Sequence, residues 1–228
     1  MTANHNTGHR ISRTVVPLLI VAVPIAAMIA WILYRNRTAA PAASAPPAAA
    51  QTVSFGGEDW PVFRGDRALT GRAAGSLPAT LKLAWTFETD GQMLSTAVIA
   101  ADTVFVASLD EHLYAVNLAD GTEKWRFKAD DRLNAAPLYA EGTVYVGSKR
   151  GTFYAVDAET GTARWRFDDA GEIAGSANIA ETDGRRIVVF GSYDYNLYGL
   201  STADGALLFA QPANNYINGA VAVADRTA

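Results

Sequence analysis

The chain repeats one short pattern about every 40 residues, and this repeat restricts the fold more than any other feature of the sequence. The pattern reads AVNLADGTEKWRF at residues 115–127, AVDAETGTARWRF at residues 155–167 and GLSTADGALLFAQ at residues 199–211. One aromatic position recurs at intervals of 40, 40 and 44 residues, at Trp85, Trp125, Trp165 and Phe209. A period of this length indicates structural units that pack against their neighbours.

Each unit is predicted to be a small antiparallel sheet. In the second unit, short runs rich in β-branched and aromatic residues alternate with turns that contain Gly, Asp or Thr-Gly. We assign strands to residues of about 134–140, 143–148, 152–158 and 163–168. Four short strands in about 40 residues are typical of a propeller blade. The predicted fold class is therefore all-β, a β-propeller of four-stranded antiparallel blades.

The third unit is four residues longer than the others, and the extra residues lie in one hairpin. The segment AEGT at residues 140–143 corresponds to AETDGRRI at residues 180–187. We expect the loop of this hairpin to be longer while its strands stay unchanged.

The number of blades is smaller than a closed ring requires. The segment KLAWTF at residues 82–87 matches only the last strand of a unit, and residues 217–225 match only the first. At about 42 residues per blade, a ring of seven or eight blades needs roughly 300–340 residues. With about three blades plus a closing strand, we expect the chain to be an N-terminal fragment of a longer protein. The alternative is an open arc that another chain completes.

The repeated aromatic residue is predicted to dock one blade against the next. A Trp side chain offers a large apolar surface and one N–H donor. The turn before it needs a side chain that accepts hydrogen bonds from backbone N–H groups and a residue that can adopt a positive φ. In the second unit, Asp157 and Gly161 suit these two turn roles. The predicted blade-docking residues are Trp85, Ala115, Gly121, Trp125, Ala155, Asp157, Thr160, Gly161, Trp165, Gly205 and Phe209.

The pattern A-x-D-x-x-T-G-x-x-x-W at residues 155–165 resembles the tryptophan-docking motif of the pyrroloquinoline-quinone-like (PQQ-like) β-propeller repeat family. The resemblance covers residues of about 80–228. It extends to DWPVFRGDRALTG at residues 59–71, since members of the family often carry such a segment before the first blade. The candidate residues of this segment are Trp60, Phe63, Arg64 and Gly65. We expect Arg64 to anchor the segment to the propeller by hydrogen bonds.

The N-terminal part is predicted to be a membrane anchor and a tether. Residues 14–34 contain no charge and are long enough to cross a bilayer, although a cleaved signal peptide is the alternative. The predicted order is a cytoplasmic tail (1–13), a transmembrane helix (14–34), an Ala/Pro-rich linker (35–55), the pre-blade segment (56–81) and the blades (82–228). This order predicts a bacterial inner-membrane protein with a periplasmic propeller.

Charge and composition exclude several functions. From residue 51 onward there are 23 acidic and 15 basic residues, so this part carries a net charge of about −8 and is a poor ligand for nucleic acid. The chain has no cysteine, which excludes disulfides, thiol catalysis and cysteine-ligated zinc. His112 is expected on the surface. The carboxylates of the turns are expected to have local backbone roles, because calcium loops need several ligands at fixed spacing.

The resemblance implies two kinds of function. Some family members are quinone-dependent dehydrogenases that hold PQQ and Ca²⁺ with an Asn, a Glu and an Asp near the ring centre. Another precedent is the propeller lipoprotein that assists the assembly of outer-membrane β-barrels. We find no match to the catalytic segment and expect no catalytic residue, no cofactor and no metal. The predicted function is a non-catalytic scaffold for envelope proteins. The alternatives are a PQQ-dependent dehydrogenase and a ligand-sensing ectodomain.

Overall fold

The computed structural model describes residues 59–73, 79–182 and 184–224, which contain twelve strands and no helix. Blade 1 consists of β1 (Val98–Ala100), β2 (Thr103–Ala107), β3 (His112–Asn117) and β4 (Glu123–Lys128). Blade 2 consists of β5 (Leu138–Ala140), β6 (Thr143–Gly147), β7 (Phe153–Asp157) and β8 (Ala163–Phe167). Blade 3 consists of β9 (Asn178–Thr182), β10 (Arg185–Gly191), β11 (Asn196–Ser201) and β12 (Leu207–Pro212).

The three blades are separate four-stranded antiparallel sheets with strands in chain order, as the repeat predicts. The first strand of blade 2 is shorter than expected, because it begins at Leu138 and not near residue 134. The residues before it cross from one blade to the next and bond to turns. The amide of Leu133 donates to Ser108 O at 3.2 Å, and the amide of Lys149 donates to Arg132 O at 2.9 Å. Residues 134–137 therefore belong to the loop that connects the two blades, not to a strand.

The expectation for the longer hairpin of blade 3 was wrong. The first hairpin of blade 2 has three residue pairs from Leu138↔Tyr145 to Ala140↔Thr143. In blade 3, β9 and β10 instead form five pairs that continue to Thr182↔Arg185. The extra residues thus lengthen both strands, and two residues still separate them. Antiparallel pairing satisfies backbone N–H and C=O groups that a longer loop would leave to water. The side chains of Arg186 and Glu181, which form one of the added residue pairs, also make an ion pair of 3.4 Å.

The predicted closing strand is not part of any sheet in the described residues. Residues 82–87 have no strand assignment, because no strand in the described ranges pairs with them. Residues 217–224 likewise have no strand assignment. The amide of Ile217 donates to Ser192 O of blade 3, and that of Val221 donates to Ser176 O in the connection before blade 3.

The apolar core lies between adjacent blades. Phe153 of blade 2 stacks on Phe190 of blade 3 with ring centroids 4.1 Å apart, and Phe105 of blade 1 stacks on Tyr139 of blade 2 at 5.9 Å. Each blade therefore depends on its neighbour for burial. None of the described residues belongs to a helix able to cross a membrane, and the predicted anchor at residues 14–34 and linker at residues 35–55 lie outside them.

Candidate functional site

Three tryptophans connect successive blades through the same hydrogen bond. Trp85 Nε1 donates to Leu118 O at 3.0 Å, Trp125 Nε1 to Ala158 O at 3.0 Å and Trp165 Nε1 to Thr202 O at 3.1 Å. Each acceptor lies in the turn between the third and fourth strands of the following blade. The indole thus fills the gap between blades and bonds a carbonyl that the turn leaves free.

A glycine of the same turn receives the indole ring. The φ angles of these glycines are 74°, 70° and 74° at Gly121, Gly161 and Gly205. A Cβ atom at Gly161 would lie 2.7 Å from the Trp125 ring, and one at Gly121 or Gly205 would lie 2.6 Å from its tryptophan. Glycine is therefore required here both for its backbone conformation and for the close approach of the ring.

The alanines of the motif lie opposite the tryptophans within each blade. Ala115 pairs with Trp125 and Ala155 pairs with Trp165, and both alanines are fully buried. The third copy is different, because Gly199 stands opposite Phe209 and the phenyl ring covers Gly199 of its own blade. Phe209 is 37 % exposed, and it makes no docking contact with a following blade in the described residues.

Asp157 organises the turn of blade 2. Its Oδ1 accepts from the amide of Thr160 at 2.8 Å, and its Oδ2 accepts from Arg164 Nη2 at 2.7 Å. The Arg164 guanidinium and the Thr160 donors hold the pKa of Asp157 well below its usual range. In blade 1, Asn117 has the same position, and its Oδ1 accepts from the amide of Ala119 at 2.9 Å.

This geometry predicts that Asp157→Asn makes stability less dependent on pH in acid. A folded-state pKa below the ordinary value means that ionised Asp157 stabilises the fold fully above about pH 4. That contribution is lost as the pH falls through the lower folded-state pKa. The asparagine can keep the turn bonds, as Asn117 does, but not the Arg164 pair. Melting temperatures of both proteins should differ at neutral pH and converge toward about pH 2. A difference in melting temperature that stays constant with pH would contradict the stabilising role of ionised Asp157.

The pre-blade segment lies along the innermost strands of the blades. Trp60 forms an antiparallel bridge with Ile99 of β1, with N···O distances of 2.7 and 2.9 Å. Pro61 O accepts from the amide of Tyr139 in β5 at 2.7 Å, and Arg67 O accepts from Asn178 Nδ2 in β9 at 2.8 Å. One short segment therefore touches the inner strand of all three blades and covers part of each exposed edge.

The contacts that attach the pre-blade segment to the blades come from residues near Arg64. Val62 is 2 % exposed and packs in the core between blades 2 and 3. Arg64 is exposed, and its guanidinium has no hydrogen-bond partner among the residues that the structure describes. Gly65 has a φ of 88° and lies against the Trp60 ring, while Phe63 is half-buried. Among the described residues, backbone pairing at Trp60 and Pro61 attaches the segment to the blades, and the anchoring role of Arg64 stays a prediction.

A groove of about 520 Å³ opens between the pre-blade segment and the inner strands of blades 2 and 3. Its walls combine apolar side chains with a charged rim. Arg186 on this rim is paired with both Glu141 and Glu181. The apolar lining residues include Val62, Leu138, Tyr139 and Ile179. The groove is thus mixed in character, and Arg186 on its rim is already paired within the protein.

A loop face lies at the end of the blades where the second and third strands connect. We define it by the turns 108–111, 148–151 and 192–195 together with the connections 129–137, 169–177 and 213–220. In blade 3, Tyr198 OH donates to Asp194 Oδ2 at 2.6 Å, and in blade 1 Tyr114 OH donates to Asp110 Oδ2 at 2.8 Å. Burial and the carboxylate raise the pKa of each of these tyrosines to about 12.

His112 is the first residue of β3, directly after the 108–111 turn of the loop face, and is half-buried. Its Nδ1 lies 3.0 Å from Asp110 O, so the ring is held beside the turn. The sequence placed His112 on the surface, and the structure places it at the edge of blade 1 with one ring nitrogen engaged.

The comparisons with known proteins agree with this architecture. A family model described as "Outer membrane protein assembly factor BamB" matches residues 70–227. The chain belongs to the PQQ-like propeller family. No curated protein matches the sequence.

Solved structures of the family show the same fold at low identity. BamB from Moraxella catarrhalis is 20 % identical, with a TM-score of 0.50 over 57 % of this chain and 41 % of that one. A europium-containing methanol dehydrogenase is 20 % identical, with a TM-score of 0.58 over 67 % and 31 %. The quinohemoprotein alcohol dehydrogenase from Comamonas testosteroni is 21 % identical, with a TM-score of 0.56 over 68 % and 27 %. This chain therefore spans less than half of each.

Because the family includes quinone-dependent dehydrogenases, we ask whether residues of the loop face could bind PQQ together with a calcium ion. Asn134 and Glu172 come nearest to a ligand pair, with Nδ2 3.5 Å from Oε1, and Asn134 Oδ1 is buried without a hydrogen-bond partner. Calcium takes six to eight oxygen ligands. Within residues 59–73, 79–182 and 184–224 no three His, Cys, Asp or Glu side chains converge on a metal position. These residues do not fit the group, and no catalytic step is assigned to it.

Proposed function

We propose that the chain is a membrane-tethered, non-catalytic binding module that serves in envelope or outer-membrane protein assembly. The match of residues 70–227 to the family model described as an outer membrane protein assembly factor carries this proposal. The proposal includes a bacterial inner-membrane anchor at residues 14–34, a propeller in the periplasm and no bound cofactor.

The architecture supports a binding role. The tryptophan contacts and the pre-blade segment make a stiff frame, and the turns of the loop face project from its strands. Binding residues in proteins are concentrated on loops that a rigid scaffold positions. Preorganised loops lose less conformational entropy on binding, which favours recognition of a protein partner.

The proposed tether gives the module a defined reach. Residues 35–55 form a linker of 21 residues rich in Ala and Pro. An extended Pro-rich chain rises about 3.1 Å per residue, so the linker spans about 65 Å in that conformation. The module would therefore act on partners close to the membrane that holds it.

The test is co-purification of the full chain with envelope proteins. Affinity-tagged protein, cross-linked in living cells and isolated from membranes, should retain a defined envelope protein that survives high-detergent washing. Cells that lack the gene should show less folded outer-membrane β-barrel protein, measured by heat-modifiable mobility on gels. A chain that recovers no partner, together with unchanged barrel assembly, would refute the proposal.

Catalysis is tested separately, because two of the similar structures are dehydrogenases. Full-length protein should be incubated with PQQ and Ca²⁺, and then with alcohols or sugars and an artificial electron acceptor. We expect no dye reduction above that of the cofactor alone. Substrate-dependent reduction would instead establish the quinone-dependent alternative.

A further inference from the structure

The turn between β6 and β7 of blade 2 carries exposed positive charges that have no partner among the described residues. The amide of Lys149 donates to Arg132 O at 2.9 Å, so these two residues are neighbours, and Arg150 follows directly. All three side chains are exposed, and none makes an ion pair or hydrogen bond within the described part of the chain. We call Arg132, Lys149 and Arg150 the cationic turn.

Most other cations of the blades face a carboxylate of their own blade or of the next one. The pairs are Arg126–Glu123, Lys128–Glu111, Arg164–Asp157, Arg166–Asp168 and Arg186–Glu141. Acidic residues are also close to the cationic turn, since Asp131 accepts from the amide of Arg132 at 2.8 Å through its Oδ1. No ion pair forms there among the described residues. The positive charge of the turn therefore remains available to an outside anion.

The cationic turn also differs in sequence from the equivalent turns of the other two blades. Blades 1 and 3 have Asp110 and Asp194 at this position, and each carboxylate accepts a hydroxyl from a tyrosine of the third strand. Blade 2 has Arg150 instead. Its tyrosine, Tyr154, then finds a different partner and accepts from the amide of Asp130 at 3.1 Å. An exposed cation thus replaces a useful structural carboxylate, and such exceptions are expected at functional sites.

The backbone holds the cationic turn in one conformation. Gly151 has a φ of 100°, and its amide donates to Ser148 O at 3.1 Å. A Cβ atom at this position would collide with the carbonyl oxygen of Ala170, so the turn lies tightly against the connection to blade 3. A turn fixed in this way presents its charges with little entropy to lose on binding.

Exposed tyrosines lie on the next turn of the loop face and on the connection that follows blade 3. We call Tyr193, Tyr195 and Tyr216 the tyrosine patch; the rings of Tyr193 and Tyr216 are 5.0 Å apart, and Tyr195 is 51 % exposed. The connection that Gly151 touches also reaches this patch, because the amide of Gly171 donates to Asp194 Oδ2 at 2.9 Å. Tyr195 keeps a φ of 71°, a conformation that costs a bulky residue energy.

We propose that the cationic turn and the tyrosine patch together bind an extended acidic segment of a protein partner that also carries apolar side chains. The inference rests on the proposed binding function and names the partner's chemistry. Arginine and tyrosine are among the residues enriched in the energetic centres of protein interfaces. An anionic lipid surface fits less well, because it would repel a globule with a net charge of about −8, whereas a narrow segment meets only the local charge.

The test uses the full chain in detergent and a fluorescent acidic peptide. A peptide of about 12 residues, with alternating glutamates and leucines, reaches about 40 Å when extended. Fluorescence anisotropy should show binding that weakens from about 50 to about 500 mM NaCl, while a peptide with lysine for glutamate should not bind. The combined change Lys149→Gln and Arg150→Asp should weaken binding at least about tenfold. Blades 1 and 3 already have aspartate at this position, so the variant should melt no lower than the wild type.

A matched control and a second variant complete the test. The control variant combines Arg72→Glu with Lys82→Glu, two exposed positions outside blade 2, and changes the net charge at least as much as the turn variant does. Its affinity for the peptide should stay within about twofold of the wild-type value. Tyr195→Asn tolerates the positive φ and should weaken binding several-fold. Equal affinity of wild type and the turn variant overturns the inference, as does binding only to vesicles of anionic phospholipid. If the partner still co-purifies with the turn variant, the proposed function stands and this surface is wrong.

Discussion

Gly161→Ala is expected to destabilise the protein by about 3 kcal/mol, because the new methyl group meets two obstacles. The residue has a φ of 70°, and its Cβ atom would lie 2.7 Å from the Trp125 ring. The ring cannot retreat without breaking its 3.0 Å bond to Ala158 O. Denaturant unfolding followed by tryptophan fluorescence should report the loss and a shifted environment of Trp125.

Gly142→Ala is the matched control for this change. Gly142 is in the same blade and has a φ of 73°, but the nearest atom to its Cβ position is Arg164 Nη2 at 3.8 Å. Gly142→Ala should therefore lower the free energy of unfolding only by the backbone strain, about 1 kcal/mol. If the two alanines destabilise the protein equally, the indole contact contributes nothing and the docking role of this glycine is wrong.

Val62→Asp is expected to release the pre-blade segment and to lower stability by about 3 kcal/mol or more, since it buries a carboxylate in an apolar core. Val62 packs with Leu138 of blade 2 and Val188 of blade 3. Release would free the amides of Ile99 and Tyr139, which now bond to Trp60 O and Pro61 O. Hydrogen exchange of β1 and β5 should accelerate at these two amides more than at those on the other edge of the same strands.

Arg64→Asp supplies the control two residues away. It places the same new carboxylate on an exposed side chain that has no partner in the described residues. Exchange at Ile99 and Tyr139 should then stay at the wild-type rate. Faster exchange in both variants would mean that charge near the segment, and not loss of the Val62 contact, controls its docking.

The blade architecture could be predicted because the packing residues recur at a fixed spacing. Trp125 and Trp165 occupy equivalent positions in two blades, and their alternation with arginines already separates the inner from the outer face of the strand. Phe209 looked like a further copy, yet it covers Gly199 of its own blade. An aromatic ring at this position can contact the following blade or cover its own blade. Which contact it makes depends on the residue opposite it, and strand register determines that residue.

The pre-blade segment shows why the rest could not be predicted. Arg64 attracted attention as a charged residue in a motif, whereas the contacts belong to Trp60, Pro61 and Val62, largely through backbone atoms that carry no sequence signature. The unpaired Oδ1 of Asn134 and the cationic turn likewise depend on which side chains meet across blades. The sequence alone does show that Arg150 stands where the two other copies have aspartate.

The position of the pre-blade segment has a consequence for the order of folding. Each blade closes through hairpins between neighbouring strands, but the bond from Asn178 to Arg67 joins residues 111 positions apart. Closing such long loops is slow, and it gives no stabilising contacts until the inner strands have formed. The segment leaves the ribosome before all three blades and docks after them. During synthesis the inner edges therefore stay open, and a holding chaperone has its best opportunity to bind there.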